Sequence, residues 1–177
     1  MEPEIYLLPI GDIDSDLKQY LKLTVENAFH CAAELMPTMK EELDFAYDAG
    51  RNQYFSTAIL KKIFSRKPKE KRLLGIADVD LFVPRLNFVF GEAHMTRGVC
   101  VISLTRLRQE YYGLEQDKEL FIARAAKEAV HELGHTYSLG HCRDYKCVMF
   151  FSNSLSDTDR KSTQFCSRCK NFLEIND

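Results

Sequence analysis

The run His131-Glu132-Leu133-Gly134-His135, followed six residues later by His141, restricts this chain more than any other stretch. On an α-helix, positions four apart are separated by about 40° around the axis and by one turn along it, so His131 and His135 project from one face. Two imidazoles placed in this way can hold one metal ion from two sides. Glu132, beside the first of them, can take a proton from a water that the metal activates. A continuing helix would carry His141 about 240° away from His135, so the helix has to end between them if His141 is to join the site. Three neutral imidazoles leave the fourth tetrahedral position open, as in catalytic rather than structural zinc sites.

A second constellation follows at once. Cys142 and Cys147 have four residues between them, and Cys166 and Cys169 have two. Four thiolates in two such pairs are sufficient for a closed tetrahedral zinc, which cannot activate water and so acts structurally. It would tie the C-terminal segment to the region just after the histidine helix and add folding energy to a lobe with little core of its own. Because Cys142 directly follows His141, the two metal environments are expected to be neighbours and mechanically coupled. The remaining cysteines, Cys31 and Cys100, stand alone in apolar surroundings and read as core filler.

Composition narrows the partners. A chain of 177 residues buries one substantial core, so one domain covering 1–177 is expected, divided into an N-terminal subdomain of about 1–140 and a C-terminal subdomain of 141–177. A formal net charge of −2 gives no electrostatic case for nucleic acid or an anionic membrane. No apolar run approaches the roughly 20 residues of a membrane span. The acidic N-terminus and the interruption of its first apolar run by Pro9, Gly11 and Asp12 do not fit a signal peptide. Six cysteines without such a signal fit metal ligands or free thiols in a reducing compartment. The expected location is therefore cytoplasmic and the expected state a monomer.

In chain order, Ile5 to Ile10 reads as a buried strand. Ser15 or Asp16 caps a helix reaching about Met36, where Pro37 stops it; Leu17, Leu21, Val25 and Phe29 supply its apolar spacing. His30 on that helix reads as structural or exposed. Residues 43–47 read as a second strand, 52–64 as a helix, and the basic run 65–72 as a solvated loop. Strands are expected over 72–82, over Asn87, Phe88, Val89 and Phe90, and over 99–104, with 91–98 as a loop in which His94 is exposed. Asp117 opens the main helix, whose apolar surface includes Ala125, Ala126, Ala129, Val130 and Leu133 and which ends in the histidines. The alternation predicts an α/β fold followed by a strand-free, cysteine-bearing tail.

His131, Glu132, His135 and His141, with Met149 downstream, resemble the metzincin zinc peptidases. The cysteines at 142, 147, 166 and 169 look specifically like those of archaemetzincins. The resemblance implies a metzincin-like mixed five-stranded sheet, an active-site helix and a small C-terminal lobe held by a four-cysteine zinc. It also implies two zinc ions per chain, Glu132 as the base and Met149 in a turn beneath the metal. By the same likeness Asn87, Phe88, Val89 and Phe90 form the edge strand that pairs with an extended peptide. The implied activity is hydrolysis of peptide bonds by a zinc-dependent peptidase; the alternative is a zinc-containing peptide-binding protein with little or no turnover. Two departures stand out. Ser138 occupies the position of the clan's turn glycine, so the helix is expected to run slightly further with Gly140 absorbing the reversal. Phe151 stands where some metzincins place a tyrosine that assists the metal.

Overall fold

A computed structural model describes residues 2–175. In chain order its elements are β1 (Ile5–Ile10), α1 (Ser15–Phe29), β2 (Ala33–Leu35), β3 (Tyr47–Asp48), β4 (Gln53–Phe55), α2 (Ser56–Phe64), β5 (Arg72–Ala77), β6 (Leu81–Phe82), β7 (Gly91–His94), β8 (Val99–Ser103), α3 (Lys118–Thr136), α4 (Leu155–Arg160) and α5 (Ser167–Leu173). The main sheet has five strands in the order β2-β1-β5-β8-β7. Four run parallel and the edge strand β7 is antiparallel to β8. This is the mixed five-stranded sheet expected from the sequence. Strands β3, β4 and β6 form a small second sheet.

The central strands read as unbroken apolar runs because both of their faces are covered. Alternate residues feed two cores. Ile5, Leu7, Leu74, Ile76, Cys100 and Ile102 pack with α1 and α3 on one face. Leu8, Ile10, Leu73, Val99 and Val101 pack with Ile59, Leu60 and Ile63 of α2 on the other. Helix α3 begins where Asp117 accepts a hydrogen bond from the Leu120 N–H at 2.9 Å, an N-cap that satisfies one of the free donors of the first turn. Two turns further along α3, Arg124, 3% exposed, grips Asp159 through two hydrogen bonds of 2.7 Å and so fastens α4 to α3.

Several expected elements are redrawn. The first helix does not reach Met36: it stops at Phe29, His30 turns left-handed with φ 52°, and Ala33–Leu35 pairs with β1. Glu26 holds the Ala33 N–H at 3.0 Å, so the open edge of β1 overrides the helical spacing. Residues 43–47 hold a single 3₁₀ turn, Asp44–Ala46, and then enter β3. The run 52–64 splits into β4 and α2, and 72–82 into β5 and β6. The second split falls at Asp78 and Asp80, which bind Arg108 and Arg106. Asn87, Phe88, Val89 and Phe90 are not a regular strand; Val89 makes one bridge to Leu81, and the edge strand lies at Gly91–His94, inside the expected loop. The ladder begins at Phe90, whose carbonyl accepts the Ser103 N–H at 2.8 Å. Gly-Glu-Ala-His carries neither β-branched residues nor alternation, and pairing with β8 supplies what propensity does not.

Candidate active site

The histidines come together at the end of α3, which crosses beneath β7. His131 is buried and His135 partly so, and each spends its Nδ1 on a carbonyl: Val148 for His131 and Leu139 for His135, both at 2.8 Å. In a neutral ring only one nitrogen carries a proton. Both Nε2 atoms are therefore bare lone pairs, yet they lie 3.1 Å apart. Two acceptors facing one another call for a cation. In a tetrahedral zinc site with Zn–N of about 2.0–2.1 Å, ligand nitrogens lie roughly 3.3 Å apart. His141 completes the group; the three ligand atoms lie within 4.8 Å of one another.

The reversal that delivers His141 differs from expectation. The helix does not run on, and Gly140 is not the turning residue. Ser138 itself is left-handed, with φ 68°. The Ser138 N–H bonds to the His135 carbonyl at 2.9 Å and the Leu139 N–H to the Gly134 carbonyl at 3.2 Å. These are the two bonds of a Schellman ending, a motif that tolerates a non-glycine residue at a cost of roughly 1–2 kcal/mol. The same turn aims the Leu139 carbonyl at His135, so one feature both reverses the chain and orients a ring.

Beneath the histidines the turn 147–150 is closed by the Phe150 N–H on the Cys147 carbonyl at 2.9 Å. Met149 is fully buried there, against Gly134: a Cβ on Gly134 would fall 2.4 Å from the Met149 sulfur. Phe151 is half-exposed and its ring packs on His141 at 4.9 Å, offering contact but no hydrogen bond. Glu132 is buried in the cleft wall beside Gly91. The cleft, about 240 Å³, is also lined by Phe88, Glu92 and Glu128. His94, at the exposed end of β7, lies outside the cluster, as does His30.

Burial dominates the electrostatics. It pushes His131 well below the ordinary histidine range, with the charge of Lys161 as the next cause, and it lowers His135 and His141 as well. The rings are thus neutral and ready as ligands at pH 7. Burial likewise raises the proton affinity of Glu132 well above that of a free carboxylate; Glu128 adds to this and Lys161 opposes it.

The four cysteines converge behind the turn. Cys142 and Cys166 sulfurs are 3.7 Å apart, and those of Cys147 and Cys169 3.8 Å. A disulfide needs about 2.05 Å, whereas sulfurs around a tetrahedral zinc with Zn–S of about 2.3 Å lie roughly 3.8 Å apart. The Cys166 N–H points at the Cys147 sulfur at 3.3 Å, and Arg168 reaches the Cys142 sulfur at 3.4 Å. The donor set fits zinc.

Sequence reasoning did not single out Gly91, Glu92, Glu128 or Lys161. Glu128 sits one turn before Glu132 on the same helix, a spacing that could have marked it. Lys161, in the run Asp159-Arg160-Lys161-Ser162, carries no local signal of burial at all.

Three imidazoles and a buried carboxylate at the end of one helix, under the edge of a mixed sheet, define a zinc-dependent metallopeptidase. Comparison with known proteins agrees. Residues 12–175 match the model of peptidase family M54. The chain is 41% identical to the archaemetzincin of Pyrococcus furiosus, over 98% of this chain and 94% of that one. The crystal structure of archaemetzincin from Methanopyrus kandleri superposes with a TM-score of 0.85 at 36% identity, covering 97% of this chain and 94% of the other. That of a zinc-dependent peptidase from Methanocorpusculum labreanum gives 0.87 at 28% identity, with 96% and 99% coverage. The chain belongs to peptidase family M54, the family of the archaemetzincins.

Proposed function

We propose that His131, His135 and His141 hold one catalytic zinc, that Glu132 is the general base, and that Cys142, Cys147, Cys166 and Cys169 hold a second, structural zinc. The observation that carries this reading is the 3.1 Å approach of two Nε2 atoms whose rings have both given their Nδ1 protons to carbonyls. When bound, zinc supplies a Lewis acid that activates water and polarises a peptide carbonyl. The chain's own residues do the rest. Val148 and Leu139 fix the tautomers of His131 and His135. Glu132 takes a proton from the attacking water and passes it to the leaving amine. Met149 packs the floor against Gly134.

The substrate in this reading is an extended peptide laid along the free edge of β7, Gly91–His94, with Asn87, Phe88, Val89 and Phe90 forming the adjoining wall rather than the strand itself. The protein acts as a monomer in the cytoplasm, with neither nucleic acid nor membrane as partner; among the described residues no helix is long and apolar enough to cross a membrane. It works as one unit, with residues up to about 140 supplying sheet and helix and residues from 141 supplying the third ligand and the cysteine lobe.

The test is metal content per chain in wild type and in H141A, with cleavage of an unstructured peptide by wild type and E132A. Two zincs in wild type, one in H141A, and no cleavage by metal-replete E132A are expected. Two zincs in both wild type and H141A, or cleavage by E132A, would overturn the assignment.

A further inference from the structure

Lys161 is the largest side chain that the described fold buries completely. An ammonium removed from water costs several kcal/mol unless it is well paired, so such a lysine calls for an explanation. Its Nζ lies 2.8 Å from Glu128 Oε1, 3.5 Å from the Phe150 carbonyl and 3.4 Å from His131 Nδ1. Glu128 is itself 3% exposed and has Thr158 Oγ1 at 3.5 Å. One ammonium thus touches α3, the turn that carries Met149, and the ring edge of a metal ligand.

The distances assign its partners. His131 Nδ1 already donates to Val148 at 2.8 Å, so it presents a hydrogen, not a lone pair, and Lys161 cannot donate to it. The ammonium is drawn instead to Glu128, the shorter contact by 0.6 Å. With no acceptor oxygen at position 128, the nearest acceptor open to Lys161 would be Nδ1 in its other tautomer. That tautomer places the proton on Nε2, the atom that faces the metal. Packed at the ring edge, the lysine also blocks rotation of the imidazole away from Val148 and joins Glu128 to the Phe150 carbonyl.

We propose that Lys161 and Glu128 are positioning residues for the catalytic metal: Lys161 wedges the His131 ring against the Met149 turn, and Glu128 holds the ammonium off Nδ1 so that Nε2 stays free. The proposal rests on His131 being a zinc ligand. The experiment compares wild type, K161M and E128L by competition for Zn²⁺ with a chromophoric chelator, and by the visible absorption of the Co²⁺-loaded proteins. Each variant is expected to weaken Zn²⁺ binding at the histidines by about 10–100-fold, the usual effect of losing an outer partner of a ligand. The histidine-site Co²⁺ bands should shift while the thiolate-to-cobalt bands stay in place. Affinity and bands unchanged, with only a lower melting temperature, would overturn the proposal and leave a purely structural ion pair. Should a single variant not fold, E128L/K161M, which leaves no charge unpaired, is read by the same criteria. A wild type that binds no metal at its histidines overturns the parent reading, whereas unaltered affinity in the variants overturns this one alone.

Discussion

The main chain at Gly91 lies directly against the side chain of Glu132: a Cβ on Gly91 would fall 2.6 Å from Glu132 Cγ and 2.8 Å from its Cδ and Oε1. The edge strand and the carboxylate share one space, and only a residue without a side chain lets both occupy it. Gly91→Ala is therefore expected to cost about 1–3 kcal/mol by overpacking and to drive the carboxylate from its place. We predict a fall in kcat of about tenfold or more, the effect of ~1.4 kcal/mol at the barrier, with zinc content unchanged. Wild-type kcat in a folded G91A protein would refute it.

Glu132 offers a prediction with a definite sign. Its proton affinity is raised in the fold, so the folded state binds a proton more readily than the unfolded chain does. Its contribution to stability is full below the ordinary glutamate pKa of about 4.3 and is lost as pH rises through the higher folded value. In the metal-free protein Glu132→Gln removes this loss. It should raise the melting temperature at neutral pH by about 2–4 °C, what ~1 kcal/mol gives for a chain of this size, with the gain shrinking towards pH 4. Calorimetry of both proteins after chelation measures it; a gain that grows on acidification would show the sign to be wrong.

The three lowered histidines act in the opposite sense. Their contribution is present above the ordinary histidine value of about 6.5 and is lost as pH falls through the lower folded values. The metal-free protein should thus weaken on moderate acidification, and H131F should flatten that part of the profile.

Ser138 holds a left-handed backbone with φ 68°. Ser138→Gly relieves roughly 1–2 kcal/mol of local strain and gives back about 0.5–1 kcal/mol in chain entropy. The expected net is a small stabilisation with unchanged zinc affinity at the histidines, while S138V, β-branched at the same φ, should destabilise. Denaturant midpoints of the two variants decide it; a shift of both in one direction counts against the turn as described.

The cysteine lobe reaches the histidines by two short links. Cys142 adjoins His141 and donates its N–H to the Met149 carbonyl at 2.8 Å; Cys147 adjoins Val148, whose carbonyl orients His131. Cys169→Ser, which removes a proposed ligand remote in sequence from every histidine, is accordingly predicted to lower total zinc from the proposed two ions to below one. Retention of one full equivalent at the histidines would show the sites to be independent.

The histidine helix, its Asp117 cap and the buried strands were legible because each follows from local chemistry: ligand spacing, a capping side chain, continuous apolar residues. What could not be read depends on distant chain. Residues 33–35 continue a helical pattern yet pair with β1. Gly91–His94 has no strand signature and is a strand only because β8 lies beside it. Lys161 looks like surface and is core because Glu128, more than thirty positions earlier, waits for it. Ser138 is legible as a departure, but which residue absorbs the reversal depends on backbone bonds to Gly134 and His135.

Strand β7 is fastened from outside as well as within. Glu92 accepts hydrogen bonds from Ser56, by a very short contact, and from Thr57 at 2.8 Å, both at the start of α2. One wall of the cleft is thereby moored to a helix, while the opposite floor is moored to the cysteine lobe. If peptides are bound as proposed, the suppleness has to come from the guest. Segments that are already unravelled, such as frayed tails and loose loops, can thread along β7, and well-folded neighbours cannot. A wall and floor fixed in this way would then serve as their own safeguard, sparing intact proteins.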